Sequence, residues 1–225
     1  MVNTKRSTPL TAAAPSPQPH GASSAAAGAG DALADFANDI GAVADNLGLQ
    51  RFVLVGHSLG GAAALVFAAG HPNRVAGLVL VGTPGASTPE QSGPIIASLK
   101  SNKYPQVVTD YVKQLTTGAK PEVASTVNDG FAKISRERTI AMIEGVFAYD
   151  PISALRTCQG PILSITSASE PDTPTALHNL SKTVRHSIMP GTSHWMQMDK
   201  PAEFNTLLYE FLASPQINVA VATKP

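Results

Sequence analysis

The sequence predicts an α/β fold organised around a parallel β-sheet, and three observations carry that expectation. Short, nearly all-apolar runs stand at Arg51–Val55, Val75–Val81 and Pro161–Thr166; strands of this kind are buried on both faces, as in a parallel sheet. Between them lie segments whose apolar residues recur at helical spacing, and alternation of the two types is the pattern of a parallel α/β layer. A small-residue turn, Gly56-His57-Ser58-Leu59-Gly60, then joins the first strand directly to a helix.

Taken in order, the first 30 residues differ from the rest. Ala, Pro, Ser and Gly supply 19 of them, with no apolar period to bury, so a disordered head over residues 1–30 is expected. Pro15, Pro17 and Pro19 break the apolar run that follows Lys5 and Arg6, so the head does not read as a secretory signal. From Asp31, a suitable N-cap, the apolar residues Leu33, Phe36, Ile40, Val43 and Leu47 form one helical stripe that Gly48 can end. Ala62 to Gly70 reads as a helix, and the strand at Val75–Val81 runs into Gly82-Thr83-Pro84-Gly85.

Residues 86–150 carry helical patterns alone, around 95–101, 104–117, 122–134 and 138–148. They are expected to form a helical cap over a core made of residues 31–85 and 151–213. Arg185–Met189 reads as a fourth strand. The last helix starts at Lys200-Pro201, with Pro at its first position, and presents Phe204, Leu207, Leu208, Phe211 and Leu212 to the core. The tail, 214–225, is expected to fray, although Ile217 to Thr223 alternates at period two and can add to a sheet edge.

Composition removes several function classes. The 225 residues carry 16 Lys+Arg against 16 Asp+Glu, with no basic run for phosphate neutralisation, so nucleic acid is not an expected partner. No stretch approaches the roughly 20 apolar residues of a membrane span. The single cysteine, Cys158, excludes an internal disulfide and the common zinc spacings. No metal or cofactor motif is visible, and a cytoplasmic location is the expectation.

The chemistry centres on Gly56-His57-Ser58-Leu59-Gly60. A Gly-x-Ser-x-Gly turn that follows a buried strand and opens a helix has the context of a nucleophile elbow. Gly56 and Gly60 are expected to relieve crowding on either side of Ser58. The serine would stand at a helix N-terminus, where N–H groups and the dipole favour a developing anion. Its hydroxyl needs a base. Of six histidines, His20 lies in the head, His57 is fixed beside the serine and expected to point away, and His71, His178 and His186 read as surface or helix-end residues. His194 lies in Pro190-Gly191-Thr192-Ser193-His194-Trp195, after the last strand. That is the carboxyl edge of the sheet, where such folds place their sites.

The elbow, the strand pattern and His194 followed by Met198-Asp199-Lys200-Pro201-Ala202-Glu203-Phe204 resemble the α/β-hydrolase fold family, from about Gly21 to Ala213. The resemblance implies Ser58 as nucleophile, His194 as general base and residues 86–150 as a cap shaping an acyl or other apolar pocket. It also implies a carboxylate that orients the histidine, in the loop after the penultimate strand. Glu170, which precedes Pro171 where the family most often has Asp-Pro, is the first choice and Asp172 the second. The usual Gly and upstream acid of that loop are replaced by Ser167 and Ala168. Asp150, before Pro151, reads as a helix cap or hinge anchor.

The family's elbow strand is the fifth of about eight, whereas here it is the first. The expected fold is therefore an α/β-hydrolase sheet truncated at its N-terminal side. Pro19-His20-Gly21-Ala22-Ser23-Ser24 resembles the end of the loop that follows the family's fourth strand. The Leu59 N–H is the expected oxyanion donor, and the loop that supplies its partner in the family is expected to be lacking. One lost donor costs roughly 10²–10³ in rate. The strand at Phe52–Val55 would become an exposed edge, which invites pairing with another copy as a homo-oligomer.

The leading expectation is thus a serine hydrolase acting on a small-molecule ester or related acyl substrate through an acyl-enzyme, with Ser58, His194 and Glu170 as its catalytic residues. The alternatives are a catalytically impaired hydrolase-like binding module, a cofactor-free haloperoxidase or a carbon–carbon bond hydrolase on the same fold, and a truncated reading frame of a longer enzyme.

Overall fold

A computed structural model describes residues 33–217 of the chain. The expected disordered head, the Asp31 cap, the Pro19–Ser24 segment and the period-two strand beyond Ile217 lie outside the described residues.

The elements run α1 (Leu33–Asn46), β1 (Phe52–His57), α2 (Leu59–Gly70), β2 (Val75–Val81), α3 (Pro89–Lys100), α4 (Tyr104–Leu115), α5 (Pro121–Phe131), α6 (Arg136–Ala148), α7 (Pro151–Thr157), β3 (Ile162–Ser167), α8 (Leu177–Leu180), β4 (Val184–Met189), α9 (Met196–Asp199) and α10 (Pro201–Leu212). The four strands form one parallel sheet in sequence order, β1-β2-β3-β4. Their carboxyl ends therefore share one side, which gathers the loops after Ser58, Val81, Ser167 and Met189.

The all-apolar strand β2 has neighbours on both sides and is buried at all seven positions. β1 is equally apolar, but among the described residues it pairs with β2 alone. It is only half-buried, with Val55 48% exposed. Alternate side chains of the sheet enter two cores. Leu78, Leu80 and Ile162 pack against Leu65 and Phe67 of α2 and Leu155 of α7. Val79, Val81, Leu163 and Ile165 pack against Phe204 and Phe211 of α10 and against Ile217. Ile217, assigned to the tail by its sequence, is buried there.

The α1 stripe is used only in part. Leu33 and Phe36 are buried, whereas Leu47 lies past the helix end and is 48% exposed, because the chain turns away at Gly48. Residues 89–148 contribute α3 to α6 between β2 and β3 and add no strand to the sheet. Proline starts α3 and α5, Ser135 caps α6, and Val112, Val123 and Val127 give α4 and α5 a small core of their own. Asp150 caps α7 by accepting from the N–H groups of Ile152 and Ser153. No helix among the described residues is long and apolar enough to cross a membrane.

Candidate active site

Ser58 is the one non-glycine residue among those described with a positive φ, +52°. A serine held in this sparsely populated region needs an environment that over-determines it. Its N–H donates to the Val81 carbonyl at 2.8 Å, and its carbonyl accepts from Gly61 and Ala62 in the first turn of α2. Strand and helix meet so closely that a Cβ on Gly56 would lie 2.6 Å from the Gly60 carbonyl oxygen and from Gly61 Cα. A Cβ on Gly61 would strike Thr83, and one on Gly60 would meet nothing within 4 Å. The crowding therefore falls on Gly56 and Gly61, not on Gly60 as the Gly-x-Ser-x-Gly pattern suggested.

His194 follows β4 and is 7% exposed. Its Nδ1 lies 2.5 Å from Glu170 Oε1, while Nε2 is buried without a hydrogen-bond partner. The other Glu170 oxygen accepts from the Ser167 N–H at 3.1 Å, which closes the turn after β3 and aims the carboxylate at the ring. Asp172 is not brought to His194. It is exposed and accepts from His178 Nε2 at 3.0 Å and Asn179 Nδ2 at 2.7 Å. With Nδ1–H committed to a carboxylate, an imidazole presents Nε2 as a proton acceptor.

Two neighbours of this pair were not singled out by the sequence. Gly82, at φ +53°, lies under it: a Cβ there would fall 2.8 Å from His194 Cε1 and 3.0 Å from Glu170 Oε1. The signal for it was a glycine directly after the β2 run. His57 faces the histidine loop. Its Nε2–H donates to the His194 carbonyl at 2.9 Å, and its ring lies 4.7 Å from that of His194. Burial first, then the nearby His194, pushes the His57 pKa down to about 4, so it is neutral near pH 7. His178, in the short helix α8, and His186, on β4, are half-buried. Their rings stack at 3.5 Å, and burial lowers the His186 pKa, with the neighbouring His178 adding to the effect.

Ser58, His194 and Glu170 all line one cavity of about 820 Å³ between the carboxyl edge of the sheet and α3, α4 and α6. Leu99, Tyr111, Leu115, Phe131, Met142 and Phe147 supply apolar wall, in keeping with small-molecule sites, which are mostly apolar with a few placed polar groups. As the first residue of α2, Leu59 carries an N–H outside the helix's own ladder, beside Ser58. No cluster of three or more His, Cys, Asp and Glu able to hold a metal occurs among the described residues.

The chain is similar to several known proteins. A family model described as the alpha/beta hydrolase fold matches residues 14–104. An sn-1-specific diacylglycerol lipase of Mus musculus is 26% identical over 199 residues, 79% of this chain and 64% of that protein. The chain thus spans less than two thirds of that relative. A protein of Variovorax paradoxus (strain S110) named as a carbamate hydrolase, RutD, is 31% identical over 206 residues, 86% of this chain and 77% of that one. An esterase from Exiguobacterium antarcticum, 21% identical, shares the fold with a TM-score of 0.72 over 87% of this chain and 78% of its own.

Proposed function

Because the chain belongs to the α/β-hydrolase fold family, we propose that it is a serine hydrolase cleaving a carboxylic ester or related acyl bond. Ser58 is the nucleophile, His194 the general base and Glu170 the acid that orients it. One observation carries this reading: a buried imidazole with Nδ1 on a carboxylate and Nε2 unpartnered lines the same cavity as a serine held at φ +52°.

The steps follow from that arrangement. Ser58 Oγ attacks the acyl carbon while His194 Nε2 takes its proton, and the carbonyl oxygen becomes an oxyanion that the Leu59 N–H stabilises. Collapse breaks the bond to the alcohol oxygen, which leaves with the proton from His194. Water then attacks the acyl-enzyme, His194 takes its proton, and the acid departs as Ser58 Oγ is reprotonated. Glu170 holds the ring and stabilises the transient imidazolium. Residues 86–150 act as the cap, and their apolar wall suits an aliphatic or aromatic acyl group. The relatives named as a lipase, a carbamate hydrolase and an esterase support acyl chemistry of this class.

The test is turnover of p-nitrophenyl esters of increasing chain length, with fluorophosphonate labelling in parallel. Wild type is expected to hydrolyse them and to be labelled at Ser58. Ser58→Ala should lose about 10³-fold or more in kcat and all labelling. Equal rates for the two proteins, or no labelling of wild type, would reject the reading.

A further inference from the structure

We propose that Asp199 is a positioning residue for His194, and that it works by fastening the histidine loop to the helical segment between β2 and β3. The inference rests on His194 being the base.

Asp199 ends α9, is 1% exposed and belongs to no part of the chemistry above. Its two oxygens accept in opposite directions. Oδ2 accepts from the Ser193 N–H at 2.8 Å and from the Ser193 hydroxyl at 2.6 Å. Oδ1 accepts from the Lys120 N–H at 2.9 Å, across 79 residues of sequence. The Ser193 hydroxyl oxygen in turn accepts from the Trp195 N–H at 3.1 Å. One buried carboxylate therefore ties Ser193 directly, and Trp195 through the Ser193 hydroxyl, to Lys120, the residue that precedes α5.

Other contacts from the same segment point the same way. The His194 N–H donates to the Leu115 carbonyl at the end of α4, at 3.1 Å. Gly118, at φ +83°, lies against the Thr192 carbonyl, which a Cβ would meet at 3.3 Å. Residues 192 to 195 are thus held by residues 115 to 120 on one side, while His57 holds the His194 carbonyl on the other.

The physics makes this bracket stiff. Hydrogen bonds to a carboxylate are among the stronger ones in proteins. Ser193 is 0% exposed, so water cannot readily replace a lost acceptor, and an unmet buried donor carries its full desolvation cost. A displacement of the base by about 1 Å is enough to cost about 10²-fold in rate. The segment that walls the cavity therefore also sets where the proton acceptor stands.

Lys120 offers a way to break the link. Its φ of −62° suits proline, which has no N–H to donate and sets its ring Cδ against Asp199 Oδ1 where the hydrogen stood. Lys120→Pro and Lys120→Ala both lose the side chain, but only the first loses the bond to Asp199. Both are to be compared for kcat and KM on an activated ester, for thermal unfolding, and for the low-field proton resonance of the His194 Nδ1–H bonded to Glu170.

Lys120→Pro is expected to show about tenfold or lower kcat than Lys120→Ala, KM within about twofold, and a shifted or broadened resonance. Equal kcat and an unchanged resonance would overturn the inference, as would a change confined to the unfolding temperature. Should wild type turn over no ester, the hydrolase reading fails and the resonance alone decides this one. Should Lys120→Pro not fold, Asp199→Asn is judged by the same readouts against wild type, because its amide NH2 cannot accept and must face one of the donors.

Discussion

Ser58 and Glu170 owe their places to backbone hydrogen bonds, local for Glu170 and for Ser58 both local and across to the next strand. Ser58 is held at φ +52° by its bonds to Val81, Gly61 and Ala62. Glu170 is turned inward by the Ser167 N–H. Both acids of that loop were legible as candidates, and the choice between them is now geometric: Glu170 meets His194, while Asp172 meets His178 and Asn179. Glu170→Gln is accordingly expected to lower kcat by about 10³–10⁴-fold, because the amide no longer holds the productive tautomer. Asp172→Asn should stay within about threefold, since it loses only an exposed pairing. Steady-state kinetics on one ester separates the two, and a larger loss for Asp172→Asn would reassign the acid.

At the scale of elements, the fit between β1 and α2 is a tight constraint on the site. A Cβ at Gly56 meets backbone atoms, not the end of a flexible side chain, at 2.6 Å. Gly56→Ala must push α2 off the strand, which is expected to destabilise by about 1–3 kcal/mol and to displace Ser58. Urea unfolding and ester turnover check it; a wild-type midpoint with full activity would refute it. The elements themselves were legible because their signals are local. The apolar run predicted Val75–Val81, and β2 spans those residues. Helical spacing likewise located α4, α5 and α6, with ends displaced by a few residues. What the runs did not disclose is how much each strand is covered. β1 and β2 are similarly apolar, yet β1 is half-buried because it has a single sheet neighbour among the described residues.

Across the whole molecule, pH reports on the buried histidine. Burial holds His57 at a pKa of about 4, below the ordinary 6.5. Between those values the unfolded chain binds the extra proton, so acid favours unfolding there. Stability should fall as the pH drops through 6.5 and stop falling from this source below about 4, by up to about 3 kcal/mol in all. His186, also lowered, adds a smaller contribution of the same sign. Unfolding by urea at several pH values, wild type against His57→Gln, isolates the His57 share; parallel curves would show that His57 contributes nothing to it.

By itself the sequence determined the alternation of strand and helix, the small-residue elbow and the histidine after the last strand. Those are properties of neighbours along the chain: apolar periodicity, and glycines where a helix must approach a strand. Only the tertiary structure decided that Glu170 faces His194, that His57 supports the His194 carbonyl, that His178 and His186 stack beside the cavity, and that Asp199 joins the histidine loop to Lys120. The contacts of Glu170, His57 and Asp199 join residues at least 24 positions apart, and His178 and His186, though near in sequence, stack only because α8 packs beside β4; all are set by how loops fold once the sheet has brought their ends to one edge. No local pattern encodes such a contact, because its hydrogen-bond partners become neighbours only when the core has packed.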